Sequence, residues 1–262
     1  MKRLLPFVLL TALAVPAAAQ DHRGGAPAVT PIGNPSALIA AESAFARLAR
    51  EKGQWTAFAA TATDEAEMFV PQRVVAKLWL KGRANPAQAV QWQPSMVWMS
   101  CDGSAGVTFG AYQAGGGYQA GQAPNSSGGW FSTVWQRQRK KGDYKWLLDQ
   151  GGDLASPLAG ADFITGKVAD CPPRPRRDPL TDAPPKPKRG DPPPPPRPLA
   201  GPIPPLAVVP GSDSKDGRSV DGTLAWRSTV LPGGTRDWTV WMWQDGKMNE
   251  VLKRSEIAKN EG

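Results

Sequence analysis

From residue 90 to residue 151 the apolar positions recur with a period of two, the spacing of strands that bury one face. The first strand spans Val90 to Cys101 and ends at Asp102-Gly103, a tight-turn pair, after which Ala105 to Tyr112 returns antiparallel to it. A glycine-rich interruption from Gly115 to Gly129 separates these two from a long hairpin over residues 128 to 151. Its polar turn is Lys140-Lys141-Gly142-Asp143. Pro94 lies inside the first strand, and because proline cannot donate to a ladder, that position predicts an edge or a bulge. Upstream the period changes. Leu38, Ile39, Phe45 and Leu48 recur at helical spacing behind Pro35, with Ser36 as the expected N-cap and Gly53 near the end. A short helix follows over Trp55, Phe58 and Ala59, then a strand from Ala66 to Val70, then a third helix from Val74 to Leu80 closed by Gly82.

The pattern fails between residues 172 and 205, which hold 16 of the 28 prolines, including Pro192 to Pro196 unbroken. Such a run favours extended polyproline II and packs no core, so it reads as a disordered linker or a docking segment. Beyond it, residues 217–254 read as a three-stranded meander: Thr223 to Val230, Asp237 to Trp243 and Met248 to Leu252, with turns at Pro232-Gly233-Gly234 and Asp245-Gly246. Parts of it echo the earlier strands. Val220-Asp221-Gly222-Thr223 compares with Cys101-Asp102-Gly103-Ser104, Thr239-Val240-Trp241-Met242 with Thr133-Val134-Trp135-Gln136, and Glu250-Val251-Leu252-Lys253 with Trp146-Leu147-Leu148-Asp149. A meander of this length is marginal alone, so it is expected to dock on the larger sheet and bury Trp226, Trp238, Trp241 and Trp243.

The first 19 residues carry Lys2 and Arg3, an apolar stretch from Leu4 to Val15, and Ala17-Ala18-Ala19, the order of a cleaved secretory signal. The stretch is shorter than the roughly 20 residues a membrane span needs, so no anchor is expected. The protein is read as periplasmic or secreted, with residues 20–35 a disordered mature terminus that contains the only histidine, His22. Of the net charge of +8, half sits in residues 172–197, which carry seven basic and three acidic groups. The folded segments are near neutral, which argues against nucleic acid as a partner. Export makes a disulfide between Cys101 and Cys171 the expected state. No metal-ligand spacing, nucleotide-binding glycine pattern or nucleophile elbow occurs, so neither a metal nor a cofactor is called for.

Several stretches together resemble the nuclear transport factor two-like superfamily, in its exported SnoaL-like branch. They are Ala41-Glu42-Ser43-Ala44-Phe45-Ala46, Ala66-Glu67-Met68-Phe69-Val70-Pro71, Trp79-Leu80-Lys81-Gly82, Phe131-Ser132-Thr133-Val134-Trp135 and Tyr144-Lys145-Trp146-Leu147-Leu148-Asp149. The resemblance covers residues 36–153 and implies an α+β fold over residues 36–155. In it a cone-shaped, curved antiparallel sheet packs on N-terminal helices and leaves a pocket at the open end; the Pro-rich linker and the small three-stranded β meander follow. It also implies a homodimer through the outer sheet face. Enzymes of the superfamily pair an aspartate with a histidine or tyrosine in the pocket, and here the domain has no histidine.

The remaining acids and phenols are Asp64, Glu65, Glu67, Asp149, Asp153, Tyr112, Tyr118 and Tyr144, of which Asp149 is the best acid–base candidate. Strand parity places it with Lys145 and Leu147, opposite Trp146 and Leu148. Trp79, Trp92, Trp98, Tyr112 and Trp135 are the candidate lining of a pocket for a small hydrophobic ligand, with core filling as the competing use. The inventory favours a non-catalytic or ligand-binding envelope protein. The alternatives are a cofactor-free lyase or isomerase using the pocket carboxylate, and an interaction protein using the basic proline tract.

Overall fold

Pro35 opens the first helix because an N1 residue has no intrahelical partner for the N–H that proline lacks. A computed structural model describes residues 33–70, 72–114, 128–154, 163–171, 201–205 and 209–257, all within the unit Pro31–Gly262. The signal-like residues 1–19, the terminus up to residue 32, the glycine-rich run 115–127 and the proline-rich run 172–200 lie outside the described residues. Among the described residues no helix is long and apolar enough to cross a membrane.

Helix α1 (Pro35–Lys52) is capped by Asn34, whose side chain accepts from the Ser36 amide at 3.0 Å. The cap is therefore two residues earlier than expected and Ser36 lies inside the helix, because Asn34 is the better acceptor ahead of proline. Its buried stripe is Leu38, Glu42, Phe45, Ala46 and Ala49. Helix α2 (Gln54–Thr61) follows Gly53, which takes φ 99 at the junction. Asn85 caps α2 from outside, its side-chain oxygen accepting from the Trp55 and Thr56 amides at 2.8 and 3.1 Å. Strand β1 (Ala62–Phe69) starts directly after α2, four residues earlier than the alternation indicates. Residues 73–80 divide into β2 (Arg73–Val75) and a short α3 (Ala76–Leu80), where the sequence reads as one helix. β-branched Val74 and Val75 pair with β1 instead.

Four antiparallel strands complete the main sheet: β3 (Gln91–Met99), β4 (Ala105–Gln113), β5 (Gly128–Arg137) and β6 (Tyr144–Leu154). A short β7 (Thr165–Val168) adds parallel to β3, giving the order β2-β1-β6-β5-β4-β3-β7. Two irregularities lie among the antiparallel strands of this sheet, besides one between Ala62 and Glu67 where β1 runs parallel to β6. One lies between Pro94 and Met96 in β3, at the position the proline predicts. The other lies opposite Val134 and Trp135, which pair with Leu148 and Trp146 and leave Leu147 as the extra residue. An extra residue reverses the alternation of faces. Trp146 therefore packs with the helices and Leu148 on the opposite face, while Asp149 rejoins the helix side beside Phe45 and Phe58. Asp149 thus lies opposite Leu148 as expected, but on the side of Trp146 and away from Leu147, contrary to the expected parity.

The C-terminal region forms four strands, not three: β8 (Asp213–Arg218), β9 (Leu224–Val230), β10 (Arg236–Gln244) and β11 (Lys247–Glu256), in the order β11-β10-β9-β8. The strand without a sequence signal is β8, polar throughout and at the sheet edge. This second sheet lies against the face of the main sheet away from the helices. Trp98, Val107, Phe109, Trp130, Val134 and Leu148 meet Leu224, Trp226, Trp238, Val240, Met242 and Leu252 in one buried layer, the arrangement of a β-sandwich. Trp241 instead faces outward and is covered by Ile203. The second sheet thus packs on the outer face through which the resemblance implies a homodimer.

Candidate functional site

The cavity lies between α1, α2 and the helix-facing side of the main sheet. It measures about 250 Å³ and is lined by Phe45, Trp55, Phe58, Met68, Phe69, Trp92, Tyr112, Phe131 and Asp149 among others. Its rings pack edge to face. The Phe45 centroid stands 4.8 Å from those of both Phe58 and Trp92, a geometry that favours each pair through the ring quadrupoles.

A single row across the sheet sets the polar floor, since Thr108 pairs with Thr133, Thr133 with Asp149 and Asp149 with Met68. The Thr133 hydroxyl donates to Asp149 Oδ1 at 2.7 Å. Asp149 is half-buried and lines the cavity. Burial among apolar groups pushes its carboxyl up to about 7; the Thr133 bond pulls it down by less, and the nearby charge of Glu42 raises it further.

Glu42 lies behind this floor at 0% exposure. The Trp92 indole donates to Oε1 at 2.7 Å, and Oε2 accepts from Thr108 at 2.6 Å and from the Trp135 indole at 2.9 Å. Burial raises its carboxyl above the ordinary range despite these three bonds. An indole N–H can only donate, so Glu42 is an acceptor that pins two tryptophans, one of them in the cavity wall. In the sequence the signal was present, because a glutamate at i+4 from Leu38 and i−3 from Phe45 sits on an otherwise apolar stripe.

Of the five residues expected to line a pocket, Trp92 and Tyr112 do so. Trp98 faces the second sheet, because the Pro94 irregularity separates it in facing from Trp92. Trp135 lies deeper, 1% exposed and bonded to Glu42. Trp79 packs edge-on to Trp55 at 5.1 Å, with Arg83 over its ring, and lines no part of the cavity. Tyr112 donates to Asp153 at the rim, and burial with that carboxylate raises its phenol, so it stays a donor. Asp64 is exposed and paired with Lys77 at 2.7 Å, Glu67 is paired with Arg73 and Lys215, and Tyr144 donates to the Gly103 carbonyl at 2.7 Å. None of these three lines the cavity, and Tyr118 lies outside the described residues. The cysteines are joined, Cys101 to Cys171, with Cα atoms 5.2 Å apart.

No family model matches the chain, and no curated protein does. Solved structures similar to it include a nuclear transport factor two-like protein of unknown function from Shewanella oneidensis. It is 8% identical over 44% of this chain and 96% of its own, with a TM-score of 0.34. The hub of a calcium/calmodulin-dependent kinase II from S. rosetta is 14% identical over 47% of this chain and 99% of its own, with a TM-score of 0.34. A putative association domain of that kinase type from Exiguobacterium sibiricum is 13% identical over 49% and 97%, with a TM-score of 0.32.

Proposed function

We propose that this is an exported protein whose folded part binds a small, largely apolar molecule in the cavity, with Asp149 as its polar anchor. The observation that carries the reading is a half-buried carboxyl lining a cavity walled by aromatic rings. Such sites pair apolar contact area with a few polar groups that fix orientation. The volume of about 250 Å³ is below the range of roughly 300–1,000 Å³ usual for drug-sized ligands, so the ligand is a small one. Among the described residues no lysine or arginine lines the cavity. Arg73 and Arg236, which stand over the Phe69 ring, already bond Asp213 and the Gly151 carbonyl. A neutral hydrogen-bond donor or an amine therefore suits Asp149, and an anion does not. The signal-like first 19 residues and the joined cysteines support export.

The test is a matched set of probes, 2-phenylethylamine, 2-phenylethanol and phenylacetate, followed by thermal shift and calorimetry at pH 8. The amine and the alcohol are expected to bind and the carboxylate not, with Asp149→Asn removing the preference for the amine. Binding of none of the three, or of phenylacetate best, contradicts the reading. Native mass spectrometry of protein isolated from its own compartment then identifies the resident molecule.

A second reading is favoured by the titration of Asp149 near 7, where a carboxyl serves well as a general base or acid. In that case the protein moves a proton on its ligand, as an isomerase or lyase does. Its test is α-deuteration of cyclohexanone in heavy water, expected to exceed the rate seen with Asp149→Asn; equal rates remove this reading and leave binding intact.

A further inference from the structure

We infer that the second sheet is a copy of β3–β6 that occupies, within one chain, the place of a second molecule. The equivalence begins at the first turn of each unit. Ser100, Asp102, Gly103 and Ser104 correspond to Ser219, Asp221, Gly222 and Thr223, and both turns carry the same bonds. Ser100 Oγ donates to Asp102 Oδ1 at 2.8 Å and Ser219 Oγ to Asp221 Oδ1 at 2.7 Å. The Ser104 and Thr223 amides donate to those same oxygens at 2.9 and 3.0 Å, and Gly103 and Gly222 take φ 68 and 72.

The correspondence continues strand by strand. Val107 pairs with Val134, and their equivalents Trp226 and Val240 pair likewise. Thr133 pairs with Asp149, and Thr239 with Lys253. The irregularity between Val134 and Trp135 recurs between Val240 and Trp241. An extra residue at the same point of two sheets gives both the same local change of facing, as two copies of one unit would.

The two units then meet as symmetric partners do. In an isologous interface, if residue i of one copy touches j of the other, j of the first touches i of the second. The Cys101 amide donates to Thr223 Oγ1 at 2.9 Å, and the Val220 amide, its equivalent, donates to Ser104 Oγ at 2.8 Å. Ser132 and its own equivalent Trp238 bond each other at 3.1 Å, as residues on a two-fold axis do. Lys253, Glu250 and Arg227 stand where the first unit has Asp149, Trp146 and Thr108. The copy thus repeats the interface and not the cavity, and a chain binds one ligand and needs no partner on this face.

The test keeps the whole chain and places a specific protease site within residues 172–200. Cys101 and Cys171 both precede that site, so no covalent bond spans the cut. After cleavage the pieces are expected to sediment as one species with the mass of a single chain. Separation of the pieces, or a species of twice that mass, overturns the inference. The uncut chain gives a second readout by hydrogen exchange. Ser104→Ala is expected to speed exchange at the Val220 amide and Thr223→Val at the Cys101 amide; no change at either amide contradicts the reciprocal interface.

Discussion

Replacing Asp149 by asparagine isolates the energetic cost of a charge in the cavity. Asparagine keeps the shape, and its carbonyl accepts the Thr133 hydroxyl bond that now runs to Oδ1 at 2.7 Å. In the native state the Asp149 carboxyl is raised from 3.8 to about 7. Between those two values the folded state holds a proton that the unfolded state has released, so stability falls as pH rises through that window. Below it the contribution is fully present, and above it the charge must be carried in an apolar site. Three units at about 1.4 kcal/mol each set the scale of the loss at about 4 kcal/mol. Asparagine does not titrate, so its constant cost or gain cancels when the same variant is compared at two pH values. Urea unfolding with the disulfide intact, at pH 5 and pH 8.5, is expected to show the difference between variant and wild type moving in the variant's favour by about 3 kcal/mol, the part of the window above pH 5. Parallel stability profiles for the two proteins would refute the reasoning.

Glu42→Gln places an amide N–H against an indole N–H that now donates to a carboxylate oxygen. The indole resonance of Trp92 or Trp135 is expected to shift or broaden, and the Asp149 midpoint to fall because a neighbouring negative charge is gone; unchanged indole resonances would contradict it. Replacing Cys101 and Cys171 by serine opens a crosslink 70 residues apart, which the chain-entropy model values at about 4 kcal/mol, read as a lower urea midpoint. Gly106→Ala puts a Cβ 2.4 Å from Leu38 Cδ2 and 3.0 Å from the Trp98 carbonyl. The expected loss is about 1–3 kcal/mol by overpacking where α1 rests on β4, and an unchanged midpoint would show that the helix yields freely.

What the sequence made legible was whatever depends on near neighbours. Asp102-Gly103 and Asp245-Gly246 announce their turns through the conformational freedom of glycine, and Pro94 announces an irregular strand through its missing donor. The facing of Asp149 was not legible, because nothing in Trp146-Leu147-Leu148-Asp149 marks Leu147 as the extra residue. That status exists only in the pairing with β5. Trp98 was misplaced for a related reason: six residues from Trp92, it shares its parity in a regular strand and loses it across the Pro94 irregularity. Strands β7 and β8 are polar edges whose ladders depend on the sheet they join, so no alternation marks them. Glu42 was readable as an acid on an apolar stripe, but its three donors come from strands 50 to 93 residues away.

Carbon NMR of the Asp149 side-chain carboxyl across pH 4 to 9 measures directly whether a carboxyl group in the aromatic cavity exchanges its proton near neutrality. A midpoint close to 7 is the predicted result, and a midpoint in the ordinary aspartate range of about 4 would contradict the account.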